Sequence, residues 1–500
     1  MRQPTEPIEF ACEPAALTEK FSNSKLATNP VDPKVIVALS NACDTSVNSL
    51  DTAQHGRDWW PLAMHWSLAG VIPRRPLAVC RPNSTEQVTE IVRICAANDI
   101  PLTVSGGRSG VCGAAIPIYG GIVVDTTLMS GIRSVDVESG IVEVWSGTFG
   151  PEFEDELRTR HQLTVGHFPQ SFDISTIGGW VACRGAGQFS TRYGKIEDMV
   201  IGLEIVLADG SVITTGGSPA SAIGPDLTSI FVGSEGTLGI VTRIWLRAHP
   251  VPVHERKATY SFQSFHDGIK ACRDIIRSGA TPAVLRLYDQ FESARSHGAI
   301  GNVCTLLVLD TGDETLIDAT MNMVEVASHR YGAVDGNVEL VDQWLHHRND
   351  TSALQALTRK GYIVDTMEVS APWSKLPAIV DSVRFALLEI AGTRVATCHL
   401  SHSYLDGACL YFTFAAEAEP HKLDALYVAL WDAAQRAAIS AGSNISHHHG
   451  IGISRGRFMS ESLGGAFEVL KSLKTALDPG DLLNPGKLGL PSRRGKAVWP

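Results

Sequence analysis

The stretch Gly166–Gly210, GHFPQSFDISTIGGWVACRGAGQFSTRYGKIEDMVIGLEIVLADG, decides how this chain of 500 residues is read. Gly178, Gly179, Gly185, Gly187 and Gly194 lie among the small hydroxyl residues Ser171, Ser175 and Thr176. Glycine carries no Cβ, so such a composition lets backbone lie flat against a large planar ligand. The end of the stretch runs on as MVIGLEIVLADGSVITTG, two apolar runs about Asp209-Gly210. A D-G pair favours the tight turn of a β-hairpin, which is the expectation here.

Two more glycine-rich patches flank it. SGGRSG, Ser105–Gly110, follows the strand-like PLTV, and VGSEGTLGIVTRI, Val232–Ile244, leads into a buried-looking strand. Amides of a loop like SGGRSG can converge on an anion; the alternative for that loop alone is an ordinary turn. It lacks the Gly-Lys-Ser/Thr ending of a Walker loop. SGGRSG, GAGQFS (Gly185–Ser190) and GIGISRG (Gly450–Gly456) all miss the G-x-G-x-x-G spacing. A nicotinamide-binding Rossmann domain is therefore disfavoured.

Upstream, PLAVCRP, PLTV, GGIVVDTTLM and IVEVWSGT read as strands. STEQVTEIVRICAANDI opens on Ser84/Thr85 like a capping box and carries apolar residues at helical spacing. This alternation predicts an α/β subdomain. Residues 1–34 are polar and Pro-containing and are expected to be a loosely ordered lead, followed by a Pro-started helix in PVDPKVIVALSNA. GTLGIVTRIWLRAHPVP is a strand ended by prolines, and the composition shifts near Pro250. Beyond it come long helical patterns (SFHDGIKACRDIIRSG, KLPAIVDSVRFALLEIAG, KLDALYVALWDAAQRAAISAG) and the strands VCTLLVLD and GACLYFTFAA. The expected organisation is a lead (1–34), a first domain (35–250), a second (251–445) and a C-terminal segment (446–500).

Lys and Arg total 42 against 53 Asp and Glu, a net charge of −11, and no basic stripe exists. A nucleic-acid partner is thereby excluded; the cluster SRRGK (Ser492–Lys496) reads as a solvated tail. The 10 cysteines form no C-x-x-C pair, so a reduced, cytoplasmic chain with buried thiols is expected. No apolar run approaches the ~20 residues of a membrane span, and MRQPTEPIEFACEPAALTEKF lacks the apolar centre of a secretory leader. Peripheral membrane contact stays open. SNISHHHGIG, Ser443–Gly452, sets His447, His448 and His449 in a row. If extended, it points His447 and His449 to one side and His448 to the other. Metal ligation, proton transfer and packing are the alternatives.

The order of these motifs from about Arg75 to Pro250, resumed by DPGDLLNPGK, resembles the FAD-binding domain of the vanillyl-alcohol oxidase/p-cresol methylhydroxylase superfamily. The resemblance implies an α+β fold: a two-subdomain FAD-binding domain of that type with an α+β cap. It implies that Ser105, Gly106, Gly107, Arg108, Ser109 and Gly110 hold the flavin diphosphate. It places Pro169, Ser171, Ser175, Thr176, Gly178, Gly179, Arg184, Gly185, Gly187 and Tyr193 along the ring and ribityl chain. Glu235 and Gly239, Ile240 and Val241 join the cofactor site. Many relatives tether the flavin through a histidine in the first loop; SGGRSGV has none, so non-covalent FAD is expected. Arg108 departs from the small residue relatives carry, and either pairs with a phosphate or points to solvent.

Within the superfamily, SFDISTIGGWVACRGAGQFSTRYGKIEDMV, VLRLYDQFES, VSAPWSKL, YLDGACLYFTF and ISHHHGIG resemble the alkylglycerone phosphate synthases. That likeness implies exchange of the acyl group of acyl-dihydroxyacetone phosphate for a long-chain alcohol through a flavin adduct, with no net redox change. It carries catalytic roles onto Tyr411, onto the run His447, His448 and His449, and onto Arg286 in VLRLYDQ. A histidine suits proton abstraction beside a carbonyl, and His449 is the one expected to touch the chemistry. Tyr411 orients or relays, or is merely a core aromatic. Arg286 clamps an anion through its fork, or pairs with Asp289. A further cap arginine falls in HHRNDTSALQALTRKGY, as Arg348 or Arg359.

The runner-up is an FAD dehydrogenase of D-2-hydroxy acids. Such relatives often hold a divalent metal through H-x-G-D-G-N-L-H and E-H-G-x-G patterns. Here those patterns read HSYLDGACLY (His402–Tyr411) and HHGIG, so Tyr411 and His448 replace ligands. No metal is expected, since tyrosine and imidazole make a poor hard-ion set. NPGK (Asn484–Lys487) looks more like the dehydrogenases than like the synthases, and HGRDWWPLA (His55–Ala63) has no clear synthase counterpart. An alcohol or sugar oxidase using dioxygen is a third class. A small or lipid-like substrate and a homodimer complete the expectations.

Overall fold

The computed structural model describes residues 5–21, 32–297, 302–417 and 419–496. The helix Thr85–Ala97 starts where Ser84 Oγ accepts from the Gln87 amide, and it buries Val88, Ile91, Val92 and Cys95 along one face. Those positions follow the 3.6-residue period that drives an amphipathic helix onto a sheet. The sheet beneath has four strands in the order Asp44–Ser46, Ala78–Arg81, Ile122–Asp125, Leu102–Ser105. The last three run parallel and are buried along nearly their whole length, as parallel strands covered on both faces are.

A five-stranded antiparallel sheet follows in the order Val212–Gly216, Val200–Val206, Ile240–Arg247, Ile141–Trp145, Ile132–Asp136. Its first pair is the hairpin expected about Asp209-Gly210, and Gly210 takes the left-handed φ of +78° that the turn requires. The short helix Ile177–Cys183, capped by Thr176, packs against this sheet.

From His254 to Glu417 the chain builds a seven-stranded sheet. Its order is Val334–Asp335, His254–Phe262, Cys304–Gly312, Val284–Tyr288, Thr393–Ser403, Gly407–Glu417, Tyr362–Pro372. The helices Phe265–Arg277, Leu376–Leu388 and Leu423–Ala441 bury Ile275, Val383 and Trp431 with Leu400, Phe412 and Phe414 from the sheet. Trp60 joins that cluster and donates its indole N–H to the Tyr427 hydroxyl at 2.9 Å.

The start of the chain corrects one expectation. Residues 5–21 are not a loose lead: Ile8 and Phe21 are buried, and Thr18–Glu19 pairs with Val71–Ile72. Arg359 clamps Glu9, and Gln355 donates to the Glu6 carbonyl. Apolar anchors at long spacing, invisible to a composition test, tie this polar segment down. Residues 22–31 lie outside the described ones. At the other end, Leu483 bridges Leu102 at the edge of the parallel sheet. All cysteines are free.

Candidate functional site

The three glycine patches converge on a single cavity of about 330 Å³. Ser105–Gly110 form one wall, Ser175–Gly179 a second, and Ser234–Gly236 with Gly239 and Val241 a third; Tyr411, His448 and His449 close it. Gly106 and Gly107 are needed for close approach. A Cβ there would meet Thr176 Oγ1 at 2.2 Å and the Ile174 carbonyl at 2.0 Å, so the loop seats directly on the helix start. At Gly110 a Cβ would meet nothing nearer than Asp58 Oδ2 at 3.7 Å, so that end of the loop leaves room beside it. Ser105 Oγ, Ser146 Oγ and both ring nitrogens of His167 line the cavity, buried and without a hydrogen-bond partner among the described residues. Orphaned polar atoms of this kind cost free energy until a ligand or water meets them. A cofactor with a diphosphate and a flat polar ring system, such as FAD, fits them.

Buried charge fixes this frame. Glu235 sits at a left-handed φ of +49° and accepts from the amides of Ile451 (2.6 Å) and Gly452 (2.8 Å). Asn484 donates to the carbonyls of Glu235 (2.7 Å) and Ala114 (3.0 Å). Burial pushes the Glu235 and Asp58 carboxyls up to about 7, and pushes the buried Lys487 beside them down to about 7.

The histidine run is built around Glu368, a fully buried carboxylate absent from the sequence reading. Its Oε1 accepts from Ser446 Oγ (2.8 Å) and from the consecutive amides of His447, His448 and His449 (3.2, 3.1 and 2.9 Å). Buried Arg455 donates to both oxygens, at 2.9 and 2.5 Å. His449 Nδ1 lies 2.8 Å from Oε2, within ion-pair reach but not aligned for a hydrogen bond. Burial alone would raise this carboxyl, but Arg455 and His449 hold it well below the carboxylate range. The signal for Glu368 was an acid, one of two with Asp365, inside the strand-like run VDTMEVSAPW.

Tyr411 stands against this loop, its ring centroid 6.0 Å from His448 and 5.6 Å from His449. Its other face stacks on His399 at 4.7 Å, and burial raises its phenol above the ordinary range. His399 Nδ1 is 3.0 Å from Glu292, and Arg286 Nη2 donates to His399 Nε2 at 2.7 Å. Arg286 Nε donates to the Tyr288 hydroxyl, so the sequence alternative of a pair with Asp289 is not what forms. Asp289 instead accepts from the Glu292 and Cys398 amides.

Arg348 and Arg359 part ways. The Arg359 guanidinium holds Glu9 at 2.8 Å, with its side chain 41% exposed. That of Arg348 lies 5.5 Å from Phe168, 5.3 Å from Phe189 and 5.8 Å from Trp344, with Nη1 buried and unpartnered among the described residues. Arg286 lies over the same Trp344 ring at 5.6 Å, so two cations flank one aromatic beside the cavity residue Asn349.

Several expected cofactor residues stand off the cavity. Arg184 caps the helix Ile177–Cys183 at a φ of +57° and turns outward to Glu197 (3.1 Å). Gly187 serves a backbone crossing, since a Cβ there would meet the Phe168 amide at 2.6 Å. Tyr193 packs on Gly166 and His249. Ile240 points into the opposite core, because strand side chains alternate and Val241 takes the cavity side. Arg286 and His447 lie behind the lining, not in it. Arg108 lines the cavity and is braced from behind. Its Nη1 lies 2.6 Å from His55 Nε2 and 3.8 Å from Asp125, which absorbs His55 of HGRDWWPLA into the loop's support.

Residues 76–216 match the FAD binding domain family, and residues 251–488 match the C-terminal domain of FAD linked oxidases. An uncharacterized FAD-linked oxidoreductase, YgcU of Escherichia coli O157:H7, is 31% identical over 433 residues, covering 83% of this chain and 89% of that one. The alkyldihydroxyacetonephosphate synthase of Trypanosoma brucei brucei is 27% identical, covering 89% of this chain and 77% of its own. A solved alkyldihydroxyacetonephosphate synthase superposes with a TM-score of 0.76 at 23% identity, covering 97% of this chain and 90% of that chain.

Proposed function

Because the chain belongs to the FAD-linked oxidases, in the vanillyl-alcohol oxidase/p-cresol methylhydroxylase superfamily, we propose that this FAD-dependent enzyme works as an alkylglycerone phosphate synthase does. On this reading it replaces the acyl group of an acyl-dihydroxyacetone phosphate by a fatty alcohol, without net redox change. FAD is held non-covalently, since the first loop offers no histidine to tether it. Residues before about 250 carry the cofactor and those to 445 the substrate, with the last segment completing the flavin site.

One observation carries the proposal. His449, steered by Glu368, stands with Tyr411 and His448 on the cavity face, while Arg286 and Arg348 flank Trp344 behind it. Bound FAD would supply an electron-accepting ring. His449, with Nδ1 turned to Glu368, presents Nε2 to take a proton next to a carbonyl. Arg348, with its buried free Nη1, meets the substrate phosphate, and guanidinium forks bind such anions tightly. Ile8, Pro61, Met64, Leu354 and Val364 continue the cavity as an apolar chamber suited to an alkyl chain. A cytoplasmic homodimer goes with this reading and is tested by light scattering.

The second reading is oxidation of a D-2-hydroxy acid, favoured by the oxidoreductase relative and by the same pair of arginines, which suit a carboxylate equally. Anaerobic mixing separates the two. Palmitoyl-dihydroxyacetone phosphate should change the flavin spectrum and release palmitate. Full bleaching by D-lactate or D-2-hydroxyglutarate, reversed by an electron acceptor, would defeat the synthase reading.

A further inference from the structure

His402, His447 and His448 bring ring nitrogens within 4.8 Å of one another among the described residues, and hydrogen bonds already use most of them. His447 Nδ1 lies 2.9 Å from His448 Nδ1, and His447 Nε2 lies 2.8 Å from the Tyr404 hydroxyl. His402 Nδ1 lies 2.7 Å from Ser190 Oγ. A bulge between Ser401 and Ser403 gives His402 a left-handed φ of +51° and sets its ring 5.0 Å from those of both His447 and His448. Bulges re-aim side chains in this way beside functional sites.

The chain Tyr404–His447–His448 has one favoured direction. A phenol is a better hydrogen-bond donor than a neutral imidazole N–H, and an imidazole nitrogen a better acceptor than a phenol oxygen. Tyr404 therefore donates to His447 Nε2. A neutral imidazole carries one N–H, so His447 keeps its proton on Nδ1 and donates to His448 Nδ1. His448 must then hold its proton on Nε2, the nitrogen left for the cavity it lines. Burial keeps these rings neutral: it holds His447 down to about 3, with Lys195 adding to the shift, and lowers His402 and His448 too. The neighbouring His449 is set the opposite way: the Glu368 carboxylate 2.8 Å from Nδ1 favours the N–H on that nitrogen through its charge, without an aligned hydrogen bond.

We propose that Tyr404, acting through His447, fixes His448 as an N–H donor at the flavin cavity, while Glu368 fixes adjacent His449 as a lone-pair acceptor. Two consecutive histidines thus divide the work. His448 holds a substrate carbonyl or alkoxide oxygen, and His449 takes the proton from the neighbouring carbon. Environments that set paired groups apart in this manner assign acid and base roles. Tyr404 is a positioning residue. The substrate class named is a carbonyl or hydroxyl compound with an adjacent transferable proton, and this step rests on the functional reading above; the tautomers do not.

Tyr404→Phe removes only the hydroxyl and keeps the ring 5.6 Å from His447. Nitrogen-15 spectra of histidine-labelled holoenzyme, with His448 identified by its loss in His448→Gln, should show Nε2–H at His448. In Tyr404→Phe that signal should split between tautomers. The variant's kcat should fall about 10- to 100-fold, below or at the low end of the ~10²–10⁴ of direct general acid–base groups, as suits a residue that only positions one, with KM and FAD content unchanged. A His448 protonated on Nδ1 in the parent protein overturns the proposal, as does an unchanged kcat in Tyr404→Phe. So does a stoichiometric metal ion that His402→Ala releases. A chain that takes up no FAD yet shows the tautomer following Tyr404 supports the hydrogen-bonded chain and sinks the functional reading alone.

Discussion

Glu368→Gln is the perturbation the structure speaks to most directly. The amide is nearly isosteric and keeps one oxygen for the three amides of His447–His449, but it removes the charge facing Arg455. That arginine is fully buried and donates to both Glu368 oxygens. Removing one member of a buried ion pair leaves the other uncompensated, at a cost of about 3–5 kcal/mol. A domain has only about 5–15 kcal/mol in hand, so the variant should be severely weakened, with the histidine loop opening first. Urea unfolding followed by fluorescence, together with protease sensitivity of Ser443–Gly452, measures this. The double variant Glu368→Gln/Arg455→Met should recover part of the loss, because both charges are then gone. The pH dependence has a definite sign. The folded carboxyl lies well below its unfolded value. Its stabilisation is complete above about pH 4.3 and fades as pH falls through the lower, folded value. A loss below about 1 kcal/mol in Glu368→Gln, set against the 3–5 expected, would refute the claim that this pair organises the site.

Other outcomes follow from the same geometry. His449→Ala and Tyr411→Phe should each abolish turnover while the protein stays yellow, as absorbance at the flavin band will show; loss of flavin would mean that they serve binding. Arg348→Leu should raise KM for an anionic substrate at least tenfold, about the 1.4 kcal/mol of one good charged contact, whereas Arg359→Leu should leave KM alone. Gly107→Ala places a methyl 2.0 Å from the Ile174 carbonyl, so FAD affinity by fluorescence titration should collapse. Glu235 and Asp58, pushed up to about 7 by burial, keep protons in the folded chain that the unfolded chain releases from about pH 4. Stability should therefore fall as pH rises between about 4 and about 7, and Glu235→Gln should flatten that decline in thermal melts.

Local chemistry was the part legible in the sequence. Ser84, Asp209-Gly210 and the apolar periods of the long helices each specify their element within a few residues, and the structure has them in place. The glycine patches pointed to a shared cavity because glycine marks where backbone must approach closely. What stayed hidden depends on contacts between distant segments. Glu368 is one of two acids in its strand, with Asp365, until Arg455 and three amides surround it. Arg348 differs from Arg359 only through Phe168, Phe189 and Trp344 at one and Glu9 at the other. Side-chain direction was the other blind spot: Ile240 and Val241 are neighbours in sequence and face opposite cores.

The seating of the last segment has a consequence for how the chain is made. Asn484 donates to the Ala114 carbonyl, 370 positions earlier in the chain, and Leu483 covers the open edge of the parallel sheet at Leu102. Ribosomes add about 5–20 residues per second, so that edge and the glycine loop Ser105–Gly110 beside it wait roughly 20–70 s for their partner. During that interval the nascent chain exposes an unpaired strand, the kind of surface that chaperones shield and that aggregates when they do not. The cavity thus reaches its final form only after residue 484 has left the ribosome.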